Sequence, residues 1–263
     1  MKPIKISIVT PSFNQGKFIE DAIKSVKNQN YENFEHIIVD NCSSDETSEI
    51  LKRYPHLKII SEPDEGQSDA LNKGFKLATG GIIGWLNADD FYYPNTFQVV
   101  NQQFSNTNAD AIYSNVKFIN SSGDVIRTLR SHYPVKWLGF FITFIQSTSF
   151  FFKKEIIDDG NLIDKDLHLC MDRDFFLRLL YKPYKFKFVN DCFAAFRWHD
   201  TNKSISGDHI NIGAKEYFYI INKNTGFKLK STPSNILFYR LIVLTIAKPV
   251  RRMLKIAGMF KSN

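Results

Sequence analysis

Residues 4–10 read IKISIVT, apolar and β-branched at alternating positions, which predicts a strand; Phe18, Ile19, Ala22, Ile23 and Val26 then recur at helical spacing. The unit repeats. EHIIVD (35–40) predicts a second strand, SSDE (43–46) has the spacing of a capping box, and Ile50 and Leu51 lie on the helix it would start. LKIIS (57–61) predicts a third strand, GQSDALNKGFKLATG a helix ended by Gly80 or Gly81, and GIIGWL a fourth strand. Strands alternating with helices predict an α/β fold: a mostly parallel, Rossmann-like mixed sheet with helices on both faces. Further on, DAIYSNVKFIN, the turn SSGD and VIRTLR predict a hairpin, STSFFFKK a strand, and CMDRDFFLRLLY a helix with Phe175, Phe176, Leu179 and Leu180 inward. YKFKFVN and CFAAFRWH predict two short strands. With no Pro-, Gly- or Ser-rich linker and no repeat, one domain is expected over residues 1–225, with halves 1–105 and 106–225, followed by a tail, 226–263.

Such sheets bind ligands outside the carboxyl ends of their strands. The segments there are all polar: PSFNQG, DNCSSDE, EPDEGQSD and NADD. In the last, Asp89 and Asp90 stand side by side where a buried strand ends. Paired carboxylates suit a hard divalent cation such as Mg2+ or Mn2+. Asp90 alone could instead cap a helix beginning in FYYPNTF.

The composition narrows the partners. A formal charge of +7 points to an anion: nucleic acid, a phosphorylated small molecule or an anionic membrane. Nucleic acid fits worst, because the basic residues gather in an apolar tail instead of interleaving with aromatics. Cys42, Cys170 and Cys192 have no metal or disulfide spacing, and the opening segment reads as a strand and not a signal peptide, so a cytoplasmic setting is expected. Residues 232–263 hold six Lys or Arg and no acid. Arg240 and Lys248 interrupt the apolar run, leaving it short of the ~18 to 20 residues a bilayer crossing needs. Beyond Pro249, Val250, Met253, Leu254, Ala257 and Phe260 share a helical face with Arg251, Arg252 and Lys255 around it, as in helices that lie on a membrane surface. A helix docked on the domain is the alternative.

ISIVTPSFNQGKFIEDAIKSVKNQNYENFEHIIVDNCSSDET, DEGQSDALNKGFKLATGGIIGWLNADD and CMDRDFFLRL, in this order, resemble the family 2 glycosyltransferases, inverting enzymes of the GT-A fold that use nucleotide sugars; the resemblance covers about residues 4–200. It implies that Pro11, Ser12, Phe13 and Asn14 border the nucleotide, that Asp40 contacts its base or ribose, and that Asp64 belongs to the same pocket, with Gln67 and Asn72 as weaker candidates. The family's Asp-x-Asp metal motif reads Asn87-Ala88-Asp89 here, so Asp89 would carry the divalent ion, Mn2+ or Mg2+, without a first acid. The family's base is implied at Asp172, where Met171 replaces a usual Glu. His199 is implied near the diphosphate or metal, and Gln146 and Trp198 on the acceptor side.

The resemblance thus implies transfer of a sugar from a nucleoside diphosphate, uridine by family weight, to a hydroxyl of a glycan or lipid-linked saccharide acceptor during surface-polysaccharide assembly. Two other classes stay open on the sequence. A sugar nucleotidyltransferase would need a better phosphate loop than PSFNQGK, and a degenerate, non-catalytic glycan-binding protein would account for Asn87 and Met171.

Overall fold

A nine-stranded sheet forms the centre of the computed structural model, which describes residues 3–200, 202 and 209–260. Its first half follows the predicted alternation: β1 (Ile6–Ser12), α1 (Ile19–Lys27), β2 (Phe34–Asp40), α2 (Thr47–Lys52), β3 (Leu57–Ser61), α3 (Gln67–Leu77) and β4 (Ile82–Trp85). These strands lie in the order β3-β2-β1-β4, all parallel. Every residue of β1 is buried, as a central parallel strand requires.

The second half turns the sheet mixed. After β5 (Phe91–Tyr92) and α4 (Thr96–Asn106), β6 (Ala111–Ile119) and β7 (Val125–Leu129) form the expected hairpin. β8 (Phe150–Lys153) runs antiparallel between β4 and β6. Helices α5 (Glu155–Asp158) and α6 (Met171–Tyr181) precede β9 (Phe186–Arg197), which lies parallel to β6 and antiparallel to β5. Alternation assigns the core. Ile6 and Ile8 pack on one face with Ala22 and Val26 of α1 and Phe97 and Val100 of α4; Val9 packs on the other with Ala70, Leu71 and Phe75 of α3 and Phe175 of α6. The Phe150-Phe151-Phe152 run obeys the same rule, its middle ring facing α4 and its outer two facing α3 and α6.

Several local expectations need correction. YKFKFVN and CFAAFRWH join into the single strand β9, because register irregularities opposite β6 absorb the polar Asn190-Asp191 interruption without ending the pairing. α3 stops at Leu77, ahead of both glycines. Gly80 is needed for close packing instead: a Cβ there would lie 2.6 Å from the Lys5 carbonyl oxygen. SSDE does not form a capping box, since Glu46 makes no side-chain cap bond and its neighbours are engaged across the rim. Helix α4 does begin within FYYPNTF, but at Thr96 with Asn95, not Asp90, at its N-cap position.

α7 (His209–Thr225) closes the domain, and the tail after it is helical through α8 (Pro233–Ile242), a π turn (Val243–Ala247) and α9 (Lys248–Phe260). Thr232 caps α8, with Pro233 in its first turn. The tail is docked: Tyr239 donates to the Phe141 carbonyl at 2.8 Å and its ring lies 4.0 Å from that of Tyr217. Val250, Arg251, Leu254 and Lys255 are partly buried whereas Arg252, Met253 and Ile256 are exposed, so the inward and outward sides of α9 each mix apolar and basic residues instead of separating them as expected. The side chains of Ala257 and Phe260 lie outside the described residues.

Candidate active site

The polar segments at the carboxyl ends of the parallel strands interlock. Asn14 donates its backbone N–H to Ser43 Oγ (2.8 Å) and accepts from the Ser44 N–H (2.9 Å), while the Gly16 N–H reaches Asp45 Oδ2 (2.9 Å). Asp40 stands behind this clamp, with Ser43 donating to it from backbone N–H (2.9 Å) and hydroxyl (2.6 Å). Asn41 then accepts from the Asp64 N–H, and Asp64 accepts from the Gly66 N–H. Asn14, Cys42 and Gly66 have φ of +50°, +49° and +113°, so backbone in the left-handed region gathers at this rim. Strain of that kind persists only where neighbours enforce it, as these side-chain bonds do.

Opposite β4 the paired carboxylates diverge. Asp90 is fully buried and points inward: Oδ1 accepts from the Arg197 N–H (2.9 Å), and Oδ2 from Thr148 Oγ1 (2.6 Å) and Asn87 Nδ2 (3.1 Å). Burial, and secondarily the Asp89 charge, push its carboxyl well above the ordinary range. It caps no helix and joins β4 to β9, which corrects both readings of Asp90 as an N-cap and as half of a metal pair. Asp89 faces the cleft, where Oδ2 lies 3.0 Å from His199 Nε2 and 3.2 Å from Asn202 Nδ2. Arg197 secures the turn, donating from Nε to the Asp89 carbonyl and from Nη2 to Asp21.

Asn87 is occupied by the protein. Its Oδ1 accepts from Gln67 Nε2 (3.0 Å) and Trp85 Nε1 (2.9 Å) and its Nδ2 serves Asp90, so it orders the rim without offering a charge. Asp89 and His199 are the residues that would hold a divalent cation. In the structure the two are in direct contact, Nε2 to Oδ2 at 3.0 Å. Among the described residues no three His, Cys, Asp or Glu converge on a metal site. The residues fit an ion that takes its remaining ligands from phosphate and water, as Mg2+ and Mn2+ do.

Asp172 lies in the first turn of α6, and its Oδ1 accepts from the Arg173 N–H at 2.6 Å. Burial raises its carboxyl to about 6, against the lowering effect of Arg173. The turn is set from outside the helix. Glu216 of α7, buried, accepts from the N–H groups of His168 (2.8 Å), Leu169 (2.9 Å) and Cys170 (2.8 Å), leading directly into α6.

These elements enclose a cleft of ≈ 830 Å³. Its walls include the expected Pro11, Ser12, Phe13, Asp64, Gln67, Asn87, Ala88, Asp89, Gln146, Asp172, Trp198 and His199. Asn14, Asp40 and Asn72 are not among the lining residues. Asn14 and Asp40 belong to the clamp, and buried Asn72 exchanges two hydrogen bonds with the backbone of Ile163, at 2.9 and 2.8 Å, joining α3 to the segment before α6. Asn41, Arg127, Arg173 and Asn202 also line the cleft and were missed, as was Glu216 behind it. Glu216 leaves one sequence signal, an acid on the inward face of an amphipathic helix; Asn41 and Asn202 leave none.

The comparisons agree with this architecture. The model of Glycosyl transferase family 2 matches residues 7–197. An uncharacterized glycosyltransferase, MJ1057, of Methanocaldococcus jannaschii is 25% identical over 92% of this chain and 88% of its own. The putative teichuronic acid biosynthesis glycosyltransferase TuaG of Bacillus subtilis is 37% identical over 34% of this chain and 37% of its own. Two crystal structures share the fold. S. aureus TarS 1-349 in complex with UDP-GlcNAc has TM-score 0.64 and 16% identity, over 91% of this chain and 70% of that one. The mannosyltransferase PcManGT of Pyrobaculum calidifontis, in complex with GDP-Man and Mn2+, has TM-score 0.64 and 17% identity, over 100% and 77%. The fold is thus the expected GT-A arrangement, a mixed sheet flanked by helices with a C-terminal helix. With its family match spanning most of the sheet and the cleft residues Asp64, Asp89 and Asp172, the chain belongs to glycosyl transferase family 2.

Proposed function

We propose that this glycosyltransferase moves a sugar, with inversion, from a nucleoside diphosphate sugar to a hydroxyl of a glycan or lipid-linked saccharide in the assembly of a surface polysaccharide. The observation that carries the reading is that Asp89, paired with His199, and Asp172, poised at about 6, line one cleft although 83 positions separate the two carboxylates in sequence. Clamped segments around Pro11–Phe13 and Asn41–Gln67 offer backbone and amide groups to the nucleotide. Both structural neighbours hold nucleotide sugars, one uridine-linked and one guanosine-linked.

Asp172 is chemically suited to be the base. A carboxylate near 6 is ionised at neutral pH yet basic enough to take a proton as an oxygen–carbon bond forms. The acceptor O–H breaks toward Asp172, the freed electron pair attacks the anomeric carbon, and the bond from that carbon to the diphosphate oxygen breaks on the opposite face. Asp89 and His199 would hold Mn2+ or Mg2+, which when bound neutralises charge on the departing diphosphate. Gln146 and Trp198 would orient the acceptor, Trp198 with its exposed indole beside Phe118.

Membrane-surface contact through the tail belongs to the same proposal. Leu237, Phe238, Leu241, Leu244, Ile246 and Met253 are each at least half exposed, along a segment with exposed Arg240, Lys248 and Arg252. No helix among the described residues is long and apolar enough to cross a bilayer. Such a mixture suits the interface of an anionic membrane.

The test is a panel of UDP- and GDP-sugars with Mn2+ and saccharide acceptors, with the anomeric configuration of any product read by NMR. The reading expects nucleoside diphosphate release and an inverted linkage; retention of configuration contradicts it. Pyrophosphate release from sugar phosphate and nucleoside triphosphate would mark a nucleotidyltransferase instead.

A further inference from the structure

Asp172 lies on a continuous wall of the cleft, residues 168–173, and helix α7 holds that wall from behind. Glu216, buried in α7, accepts with Oε1 from the His168 N–H (2.8 Å) and with Oε2 from the N–H groups of Leu169 (2.9 Å) and Cys170 (2.8 Å). Three consecutive peptides are thus fixed by one side chain. Cys170, at the N-cap position of α6, makes no side-chain cap bond, so the entry to the helix is fixed from outside.

The next residue of α7 secures the other flank of Asp172. The Arg173 guanidinium lies 4.7 Å from the centre of the Tyr217 ring and donates to the carbonyls of Gly139 (3.3 Å) and Phe140 (2.8 Å), and Tyr217 donates its hydroxyl to that same Phe140 carbonyl (2.8 Å). Ahead of the wall, Ser68 of α3 donates to the Leu167 carbonyl (2.7 Å). Asp172 therefore sits between residues held on both sides, and its carboxyl goes where they put it.

An acid with a packing role alone needs no such targets. Hydrogen bonds to a carboxylate are about twice as strong as neutral ones, and all three end on the backbone leading to Asp172. A base works only within about 3 Å of the proton it takes, and a displacement of about 1 Å can cost on the order of 100-fold in rate. Charge adds to position. Glu216 of α7 acts with burial to raise the Asp172 carboxyl, against Arg173 of its own segment; the neighbouring Cys170 thiol is pushed up to about 12, chiefly by burial.

We propose that Glu216 is a positioning residue for catalysis: it anchors residues 168–170 and so sets where Asp172 meets the acceptor hydroxyl. This rests on the glycosyltransferase reading and extends its machinery to a helix behind the cleft.

The test compares the native full chain with Glu216→Gln, Glu216→Asp and Phe104→Leu, the last a core substitution in α4 on the opposite face of the sheet. With the active nucleotide sugar, Mn2+ and acceptor, Glu216→Gln should lower kcat by about 10- to 100-fold and leave the donor KM within about threefold. Its acid limb should move below the native one, because a charge that raises Asp172 is gone. Glu216→Asp keeps the charge but is one methylene short, so its rate should also fall while its limb stays; it carries the comparison should Glu216→Gln fail to fold. Phe104→Leu should lower the urea midpoint and keep native kcat. Native kcat in Glu216→Gln overturns the proposal, and so does a rate loss that Phe104→Leu shares at equal urea midpoint. Two measurements need no turnover. NMR of the labelled carboxyl should show Asp172 titrating lower in Glu216→Gln than in the native chain, and amide hydrogen exchange at residues 168–170 should quicken by at least about tenfold. Unchanged titration with unchanged exchange overturns the proposal. Should the native chain transfer no sugar from any nucleotide sugar, the glycosyltransferase reading falls, and these two measurements still judge whether Glu216 fixes the wall around Asp172.

Discussion

Asp89 and Asp90 are neighbours in sequence with opposite roles, because the turn at residues 88–89 between β4 and β5 leaves one in the cleft and the other buried. The outward one meets His199 and the cleft; the inward one has Arg197, Thr148 and Asn87 as partners. Asp90→Ala would leave those three donors unmet, costing about 3 kcal/mol at roughly 1 kcal/mol each, and should lower the melting temperature by about 6–12 °C in a chain of this size. For Asp172 the raised carboxyl gives a rate prediction. A base must be deprotonated, so kcat/KM should be flat above about pH 7 and fall as pH drops through about 6. A profile with its acid limb near pH 4 would remove Asp172 as the base. Asp89 and Asp172 were legible through the family resemblance, since an acid at a helix N-terminus also has an ordinary structural reason to be there. Asn72 and Asp40 show the limit: the same polarity serves buried backbone clamps, and sequence does not say which way a side chain faces.

Among the elements, β1, β2 and β4 were readable because burial on both faces gives apolar runs between polar turns, and the largely exposed edge strand β3 because Ile59 and Ile60 lie between polar turns. The second half was less so. β9 tolerates a polar interruption that breaks the alternation, and α4 has only four buried positions. The opposite end of the sheet carries its acid sensitivity. Glu35 is buried, which alone would raise its carboxyl, but bonds from Lys58, Ser7 and Thr79 outweigh burial and hold it far below its usual value. Its contribution is therefore complete above about pH 4.5 and lost as pH falls further. His36 is buried and kept neutral, pushed down to about 3 from 6.5, so the unfolded chain takes up a proton that the native one refuses. Stability should decline as pH falls from 6.5 toward 3, by up to about 1.4 kcal/mol per pH unit for this one group. Urea midpoints across that range should show the slope, and His36→Leu should reduce it. Gly84 tests the packing directly. A Cβ there would lie 2.7 Å from the Phe151 ring and 2.8 Å from Ile8 Cδ1, so Gly84→Ala should destabilise by about 1–3 kcal/mol in equilibrium unfolding.

At the scale of the molecule, the tail packs beside the catalytic segment. Tyr239 lies between Tyr217 and Phe141 and within 3.5 Å of Arg173 Nη2, one residue from Asp172. The outer side stays apolar. Leu237→Glu with Phe238→Glu should reduce cosedimentation with phosphatidylglycerol vesicles by at least about tenfold, since each loses an apolar side chain worth about 1.5–3 kcal/mol on burial; undiminished binding would place the membrane contact elsewhere. The amphipathic character of this segment was legible, but which of its residues turn inward was not, because that depends on what the helix packs against.

The central claim is that one cleft divides donor binding and proton removal between Asp89 and Asp172. Calorimetric titration of the native chain, Asp89→Asn and Asp172→Asn with the active nucleotide sugar and Mn2+, alongside their turnover, tests it most directly. The account predicts that Asp172→Asn binds the donor within about threefold of the native chain yet turns over 10²- to 10⁴-fold more slowly, while Asp89→Asn loses Mn2+-dependent donor binding. Native turnover in Asp172→Asn, or Mn2+-dependent binding unchanged in Asp89→Asn, would contradict it.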